Sequence, residues 1–370
     1  MKASFFRNSL LCIALAASTQ TSASAELDVR VADGTDAALL IDFDAFRRSG
    51  ADIGRMVSNA IDDLVRGGAF GEKTGNALKL PGRLFDTKSR EAGLKPQDFH
   101  WLLCGLRTTE FYVSERLAYT QQVWSAAMAV DGCDWERIGN VATASGLNWQ
   151  KDTVFGHRVF SADKKQGKVT RHRLRCVPGG DKMAFFGSGA SREWECYNVD
   201  FPQDARFAGM GRLSNGEVLR ISIASDKPLT DSVRHLYECL YPMDCEPIAE
   251  RAPFASLSVF LDGQSASAEF QISCADAKDA ENLAKAYLAM KTPESIAGMT
   301  ERDRRMSDGR SSFLGDTLLK LKTRIRKDME VSHQGCSVII KTGEQDAMSA
   351  LTVFIGTNGI LFDFYENFFK

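Results

Sequence analysis

FASLSVFLDGQSASAEFQISC, residues 254–274, decides the fold. Leu257, Val259 and Leu261 recur at every second position, Asp262-Gly263 marks a turn, and Ala268, Phe270, Ile272 and Cys274 alternate with polar side chains. Side chains on a strand point to opposite faces in turn, so this period of two predicts an antiparallel hairpin with one dry face. Asp276 then opens a helix whose apolar stripe is Ala280, Leu283, Ala284, Tyr287 and Leu288, closed by Thr292-Pro293. A hairpin whose dry face is covered by the next amphipathic helix is the basic piece of an α+β fold.

The same reading extends outward. Residues 171–187 (RHRLRCV, PGGD, KMAFFG) and 329–341 (MEVSH, QG, CSVIIK) read as further hairpins. Ile53, Met56, Val57, Ala60, Ile61, Leu64 and Val65 recur at helical spacing between Asp52 and Gly67-Gly68, and a second helix is expected over residues 134–145. Strand-then-helix order recurs over 38–66, 99–146, 217–240 and 254–291. The expected architecture is α+β: two tandem units, 26–200 and 201–370, each a mainly antiparallel sheet with helices packed on one face, meeting near Pro202.

The first residues carry an export signal: basic Lys2 and Arg7, an apolar run from Leu10 to Ala17, and Ala23-Ser24-Ala25 as a cleavage pattern, so residues 1–25 are expected to leave and the mature chain to begin at Glu26. That run is too short to span a bilayer, and Leu11 before Cys12 does not suit a lipoprotein signal. No second long apolar segment follows, so no transmembrane segment is expected after cleavage. Removing the signal shifts the formal charge from −2 by the loss of Lys2 and Arg7, making the chain mildly acidic and giving no reason to expect nucleic acid as a partner. Cys104, Cys133, Cys176, Cys196, Cys239, Cys245, Cys274 and Cys336 remain, an even set suited to disulfides in an oxidising compartment, with Cys239 and Cys245 the most local pair. The absence of any Asn-x-Ser/Thr site favours a bacterial periplasm.

GLKPQDFHWLLCGL (93–106), MAVDGCDWERIGNVATASGLNWQKDTVFGHRVFSAD (128–163) and MAFFGS (183–188) together resemble a loose group of exported bacterial proteins with repeated ferredoxin-like α+β units. The resemblance is one of pattern. It implies the same α+β build and brings no catalytic residues to this chain.

Four sets of residues raise chemical possibilities. In AALLIDFDAF (37–46) a strand runs into Asp42 and Asp44, which on a continuous strand would share a face. A D-x-D at a strand end resembles the carboxylate pair of haloacid-dehalogenase-like phosphatases, although Phe46 stands where that family has Thr or Val and the expected sheet is not parallel; the plain reading is that both carboxylates sit in water at the end of a strand. Ser161 and Lys164, followed by Ser307-Asp308-Gly309 and Lys341-Thr342-Gly343, resemble the motif order of serine β-lactamases, with Ser161 as nucleophile and Lys164 as base. Against this, a charged stretch rather than an apolar helix follows Ser161, and Gly309 lacks the amide of the middle motif. His235 and Cys239 lie one helical turn apart with Cys245 beyond, a partial zinc set whose plain alternative is a disulfide. Arg171, Arg173 and Arg175 alternate on one strand, suited to an anionic ligand or to keeping a sheet edge soluble.

No cofactor is implied by any of these patterns. The expectation is an exported, non-enzymatic binding or scaffold protein of the bacterial envelope whose partner is an envelope protein or an anionic glycan, with an exported hydrolase as the alternative.

Overall fold

The structure, a computed structural model, describes residues 27–76, 78–79, 93–114, 117–132, 149–154, 157–166, 169–178, 182–187, 197, 202–224, 254–306 and 312–368. The expected signal peptide 1–25 and helix 134–145 lie outside these residues, as does most of the expected helix after residue 224. The protein is α+β, and its chain forms two compact units. Among the described residues, one unit is drawn from Leu15–Arg48 and Leu84–Ser222, the other from Ser49–Arg83 and Ile223–Lys370.

In the first unit the strands are β1 (Ala37–Asp42), β2 (Phe99–Ser114), β3 (Leu117–Val130), β4 (Trp149–Val154), β5 (His157–Gln166), β6 (Val169–Pro178), β7 (Met183–Gly187) and β8 (Glu217–Ala224). Their order is β8-β1-β2-β3-β7-β6-β5-β4. Strand β1 lies between two neighbours, which is why AALLID reads as a nearly continuous apolar run: Ala38, Leu40 and Ile41 are all buried. Its antiparallel register with β2 runs from Ala37 opposite Leu106 to Asp42 opposite Trp101. The chain then turns directly into a short helix, α1 (Phe43–Arg48), which buries Phe43, Ala45 and Phe46. At the end of β7, Gly187 has φ +102°, and a Cβ there would lie 2.6 Å from the Trp124 carbonyl oxygen of β3. Only glycine fits that approach.

Two local ion pairs belong to this unit. Glu217, buried at the start of β8, is gripped by Arg220 through Nε to Oε1 and Nη2 to Oε2, each 2.7 Å. Asp204 is held by Arg206 through Nε at 2.9 Å and Nη2 at 2.6 Å. Burial opposes ionisation of Asp204, but these hydrogen bonds outweigh it and hold the carboxyl below its usual range.

The second unit contains the helix α2 (Ile53–Arg66), then β9 (Phe254–Asp262), β10 (Ser265–Ser273), α3 (Ala277–Ala289), α4 (Pro293–Met306), α5 (Ser312–Asp328), β11 (Glu330–Gln334), β12 (Ser337–Lys341), β13 (Gln345–Asp346) and α6 (Ala347–Phe368). Its strands run β11-β12-β10-β9, with β13 also on β10. The 254–274 hairpin forms as its alternation requires, with Leu257 opposite Phe270 and Ala255 opposite Ile272. Strand β12 extends the dry face by setting Ile340 opposite Phe270 and Val338 opposite Ile272, all four buried. Helix α3 packs against β11 and β12. Its Asp276 caps the first turn by accepting the Asp279 N–H at 2.8 Å. Leu288, expected on the buried stripe, is 48% exposed, because it lies about a quarter turn round the helix from the line of Ala280, Leu283, Ala284 and Tyr287.

Asp52 caps α2 in the same manner, accepting the Arg55 N–H at 2.9 Å. Ala60, Ile61 and Leu64 of α2 pack with Phe70, with Leu314 of α5 and with Ile355 of α6. This apolar cluster ties α2 and Phe70 to the C-terminal helices. The compact units are therefore interleaved along the chain, whereas the sequence reading set two consecutive halves.

Candidate functional site

The two aspartates of the 37–46 stretch do not share a strand face. The strand ends at Asp42 and α1 begins at Phe43, so the backbone changes from a period of two to helical between the two carboxylates. The cause is local: the Asp42 Oδ1 accepts the Ala45 N–H at 2.8 Å and thereby caps α1. Nor is Asp42 a solvated strand end: it is only 5% exposed, with Arg48 Nη2 3.5 Å from its other oxygen. Burial pushes its carboxyl up, and the Ala45 N–H and the Arg48 charge only partly offset this, so the group titrates above its ordinary range.

Asp44 belongs to a different constellation. Its carboxylate takes a hydrogen bond from the Arg47 guanidinium and lies 3.0 Å from His100 Nδ1. The other ring nitrogen, Nε2, lies 3.0 Å from an oxygen of Asp131. Burial alone would lower the pKa of His100, but the hydrogen bonds to Asp131 and Asp44 outweigh it and raise the imidazole above its ordinary value.

Four backbone features bring these groups together. Arg47 is anchored from α1 by donating to the Pro96 carbonyl at 3.0 Å and the Phe99 carbonyl at 2.8 Å. Those acceptors are the first residue and the C-cap of a single 3-10 turn, Pro96–Asp98, where the Asp98 carboxylate accepts the Lys95 N–H at 2.8 Å. The Asp98 carbonyl in turn accepts the Asp131 N–H at 2.7 Å, which fixes the end of β3. Most telling is the register between β2 and β3: Phe99 pairs with Val130 and Trp101 with Ala129, so His100 is an extra residue at a β-bulge. A bulge departs from strict alternation and re-aims its side chain. Here it places the imidazole between two carboxylates.

An imidazole held by a carboxylate on Nδ1 is the orienting half of an acid–base dyad, which would need Nε2 open to a reacting group. In this protein Nε2 is occupied by Asp131, which is 61% exposed. Among the described residues no hydroxyl or thiol is hydrogen-bonded to His100. The arrangement is thus a compact ionic cluster that favours imidazolium. The sequence reading named Asp44 but not His100 or Asp131. The one available signal was the histidine in DFHW, and a one-residue bulge leaves no trace in an apolar–polar pattern.

The other sequence candidates are scattered. Ser161 and Lys164 lie on β5 in the first unit, where the backbone is extended rather than helical. Lys341 ends β12 in the second unit and pairs with Glu269 at 3.0 Å, while the Thr342 hydroxyl accepts the Ala268 N–H at 2.9 Å. Arg171, Arg173 and Arg175 lie on β6, opposite Lys164, Asp163 and Ser161 respectively. His235, Cys239, Cys245 and the Ser307-Asp308-Gly309 motif fall outside the described residues. Among the described residues no group of three or more His, Cys, Asp or Glu is arranged to hold a metal ion, and no helix is long and apolar enough to cross a membrane.

No family model matches the chain, and no curated protein matches it in sequence. Among solved structures, crystal form I of TP0453 is similar at 9% identity and a TM-score of 0.43, covering 92% of this chain and 100% of that one. Form III gives 9% and 0.42 over 88% of this chain and 96% of that one, and form IV gives 9% and 0.38 over 88% and 94%.

Proposed function

We propose that the protein is an exported, non-enzymatic binding or scaffold protein of the bacterial envelope, and that the β5–β6 hairpin receives an anionic polysaccharide. One observation carries the reading. The register sets Lys164 directly opposite Arg171, with Lys165 next to it and Arg173 and Arg175 further along β6. Like charges directly opposite on neighbouring strands are destabilising on their own. A bound anion would relieve that repulsion, and guanidinium groups suit carboxylate or sulfate ligands. Export, which rests on the residue 1–25 pattern, would place the hairpin where such polymers occur.

The test is binding of the mature protein to an acidic polysaccharide such as polygalacturonate at rising salt. Saturable binding that weakens with salt, and that drops at least tenfold in an Arg171→Ala, Arg173→Ala, Arg175→Ala triple variant, is the expected result. Equal binding by the variant, or none by the wild type at low salt, would overturn it; selective binding to an acidic protein would redirect it to an envelope protein partner.

A second reading, an exported hydrolase, is favoured by the Asp44–His100 pair, in which a carboxylate orients Nδ1. Exposed Asp131 would have to leave Nε2 for the imidazole to act as a base. A panel of esterase, phosphatase and peptidase substrates, read with His100→Gln, Asp42→Asn and Ser161→Ala, decides it: turnover that vanishes in one of these variants supports the hydrolase, and no turnover by the wild type ends it.

A further inference from the structure

Strands β10 and β12 pair Phe270 with Ile340, Ile272 with Val338 and Ser273 with Ser337. One step further along this register brings Cys274 opposite Cys336, and the Cys274 N–H donates to the Cys336 carbonyl at 2.8 Å. Cys274 lies one residue past β10 and Cys336 one residue before β12, in the turn with Gly335, so the β10–β12 register carries on by one backbone pair to set the two cysteines opposite each other. Directly opposite residues joined by a ladder hydrogen bond have Cα atoms about 5.5 Å apart, inside the range of about 4.4–6.8 Å that a disulfide spans.

We propose that Cys274 and Cys336 form a cross-strand disulfide when the chain is exported, locking the β11–β12 hairpin to β10 and to the start of α3. The two cysteines are unequal in a way that sets the order of events. Cys336 is exposed, at the two-residue turn with Gly335, whereas Cys274 is buried. The Cys336 thiolate attacks a sulfur of an organic disulfide donor, such as an exported thiol oxidoreductase, and expels one donor thiolate. The Cys274 thiolate then attacks the Cys336 sulfur of the mixed disulfide and expels the second. The pair loses two electrons and two protons, and the donor gains them as two thiols. Closing the bond requires the side chain in the exposed turn to rotate inward, without a shift in strand register.

The staple constrains a long loop, since α3, α4, α5 and β11 all lie between the two cysteines. Cross-links that close long loops restrict the unfolded chain most.

The experiment uses the full mature chain purified without reductant from an oxidising compartment, alkylated under denaturing conditions and mapped by mass spectrometry. A peptide containing Cys274 joined to one containing Cys336, separated by reduction, is the expected result. Alkylation of both, or linkage of either to another cysteine, overturns the proposal. Thermal unfolding with and without reductant provides the second readout, using Cys336→Ser, which alters an exposed turn and should fold. Reduction should lower the wild-type midpoint by about 5 °C more than that of Cys336→Ser. Equal shifts would overturn the stapling role.

Discussion

The His100 Nδ1 and an Asp44 carboxylate oxygen lie 3.0 Å apart although 56 residues separate them in sequence. The contact joins the first turn of α1 to a bulge at the start of β2, and Asp131 closes the opposite side of the ring.

A group whose folded pKa is raised binds its proton more tightly in the folded state. The contribution of His100 is therefore complete below its unfolded value of about 6.5 and is lost as pH rises through the higher folded value. Thermal midpoints from about pH 5.5 to 8.5 should fall more steeply for the wild type than for His100→Gln. With the imidazole a third exposed, solvent screening keeps the difference to about 1 kcal/mol or less. A His100 titration midpoint at or below 6.5 by NMR would contradict the cluster.

Asp42 gives the acid-range counterpart. Its raised pKa means that ionisation costs stability, a cost that is absent below about 3.8 and grows as pH rises through the folded value. Asp42→Asn keeps an acceptor for the Ala45 N–H without the buried charge, so its stability relative to wild type should improve as pH rises from about 3.5 to 6. Asp42→Ala removes the cap and should cost about 1–2 kcal/mol in urea unfolding.

Gly187 is constrained by both its conformation and its neighbour. Its φ of +102° and the Trp124 carbonyl oxygen 2.6 Å from a Cβ position predict a loss of about 2–3 kcal/mol for Gly187→Ala. A change under about 0.5 kcal/mol in denaturant midpoint would mean that β7 and β3 pack differently.

Glu217 is buried beneath Arg220 and also accepts the Ser214 N–H at 2.8 Å. Glu217→Ala leaves that N–H without its acceptor and the guanidinium with only the Gly209 carbonyl, and should cost about 3 kcal/mol. Replacing both Glu217 and Arg220 with apolar residues should cost less than the single change, which a double-mutant cycle would detect.

The elements that the sequence revealed best are those whose information is local. The 254–274 hairpin, its turn glycine at φ +56°, the Asp52 and Asp276 caps and the buried line of α2 all follow from residues within a few positions of one another. The α+β class follows from the same periods. Even the reading of Asp42 failed for a local reason, because capping competes with strand extension and a three-residue difference in hydrogen bonding decides which wins.

What the amino-acid order determined by itself was the kind of each element, the face it buries and the residues at which it turns, since periodicity and capping act over one or two turns of chain. Only the tertiary structure decided the partners: that α2 joins α5 and α6, that the Cys274 N–H donates to the Cys336 carbonyl, and that an extra residue in β2 delivers His100 between Asp44 and Asp131. A dry face specifies that it must be covered but not by what, and the entropy of closing a loop grows so slowly with length that many distant partners remain open to each element. The choice among them is made by packing and hydrogen bonding that exist only once the whole unit has closed.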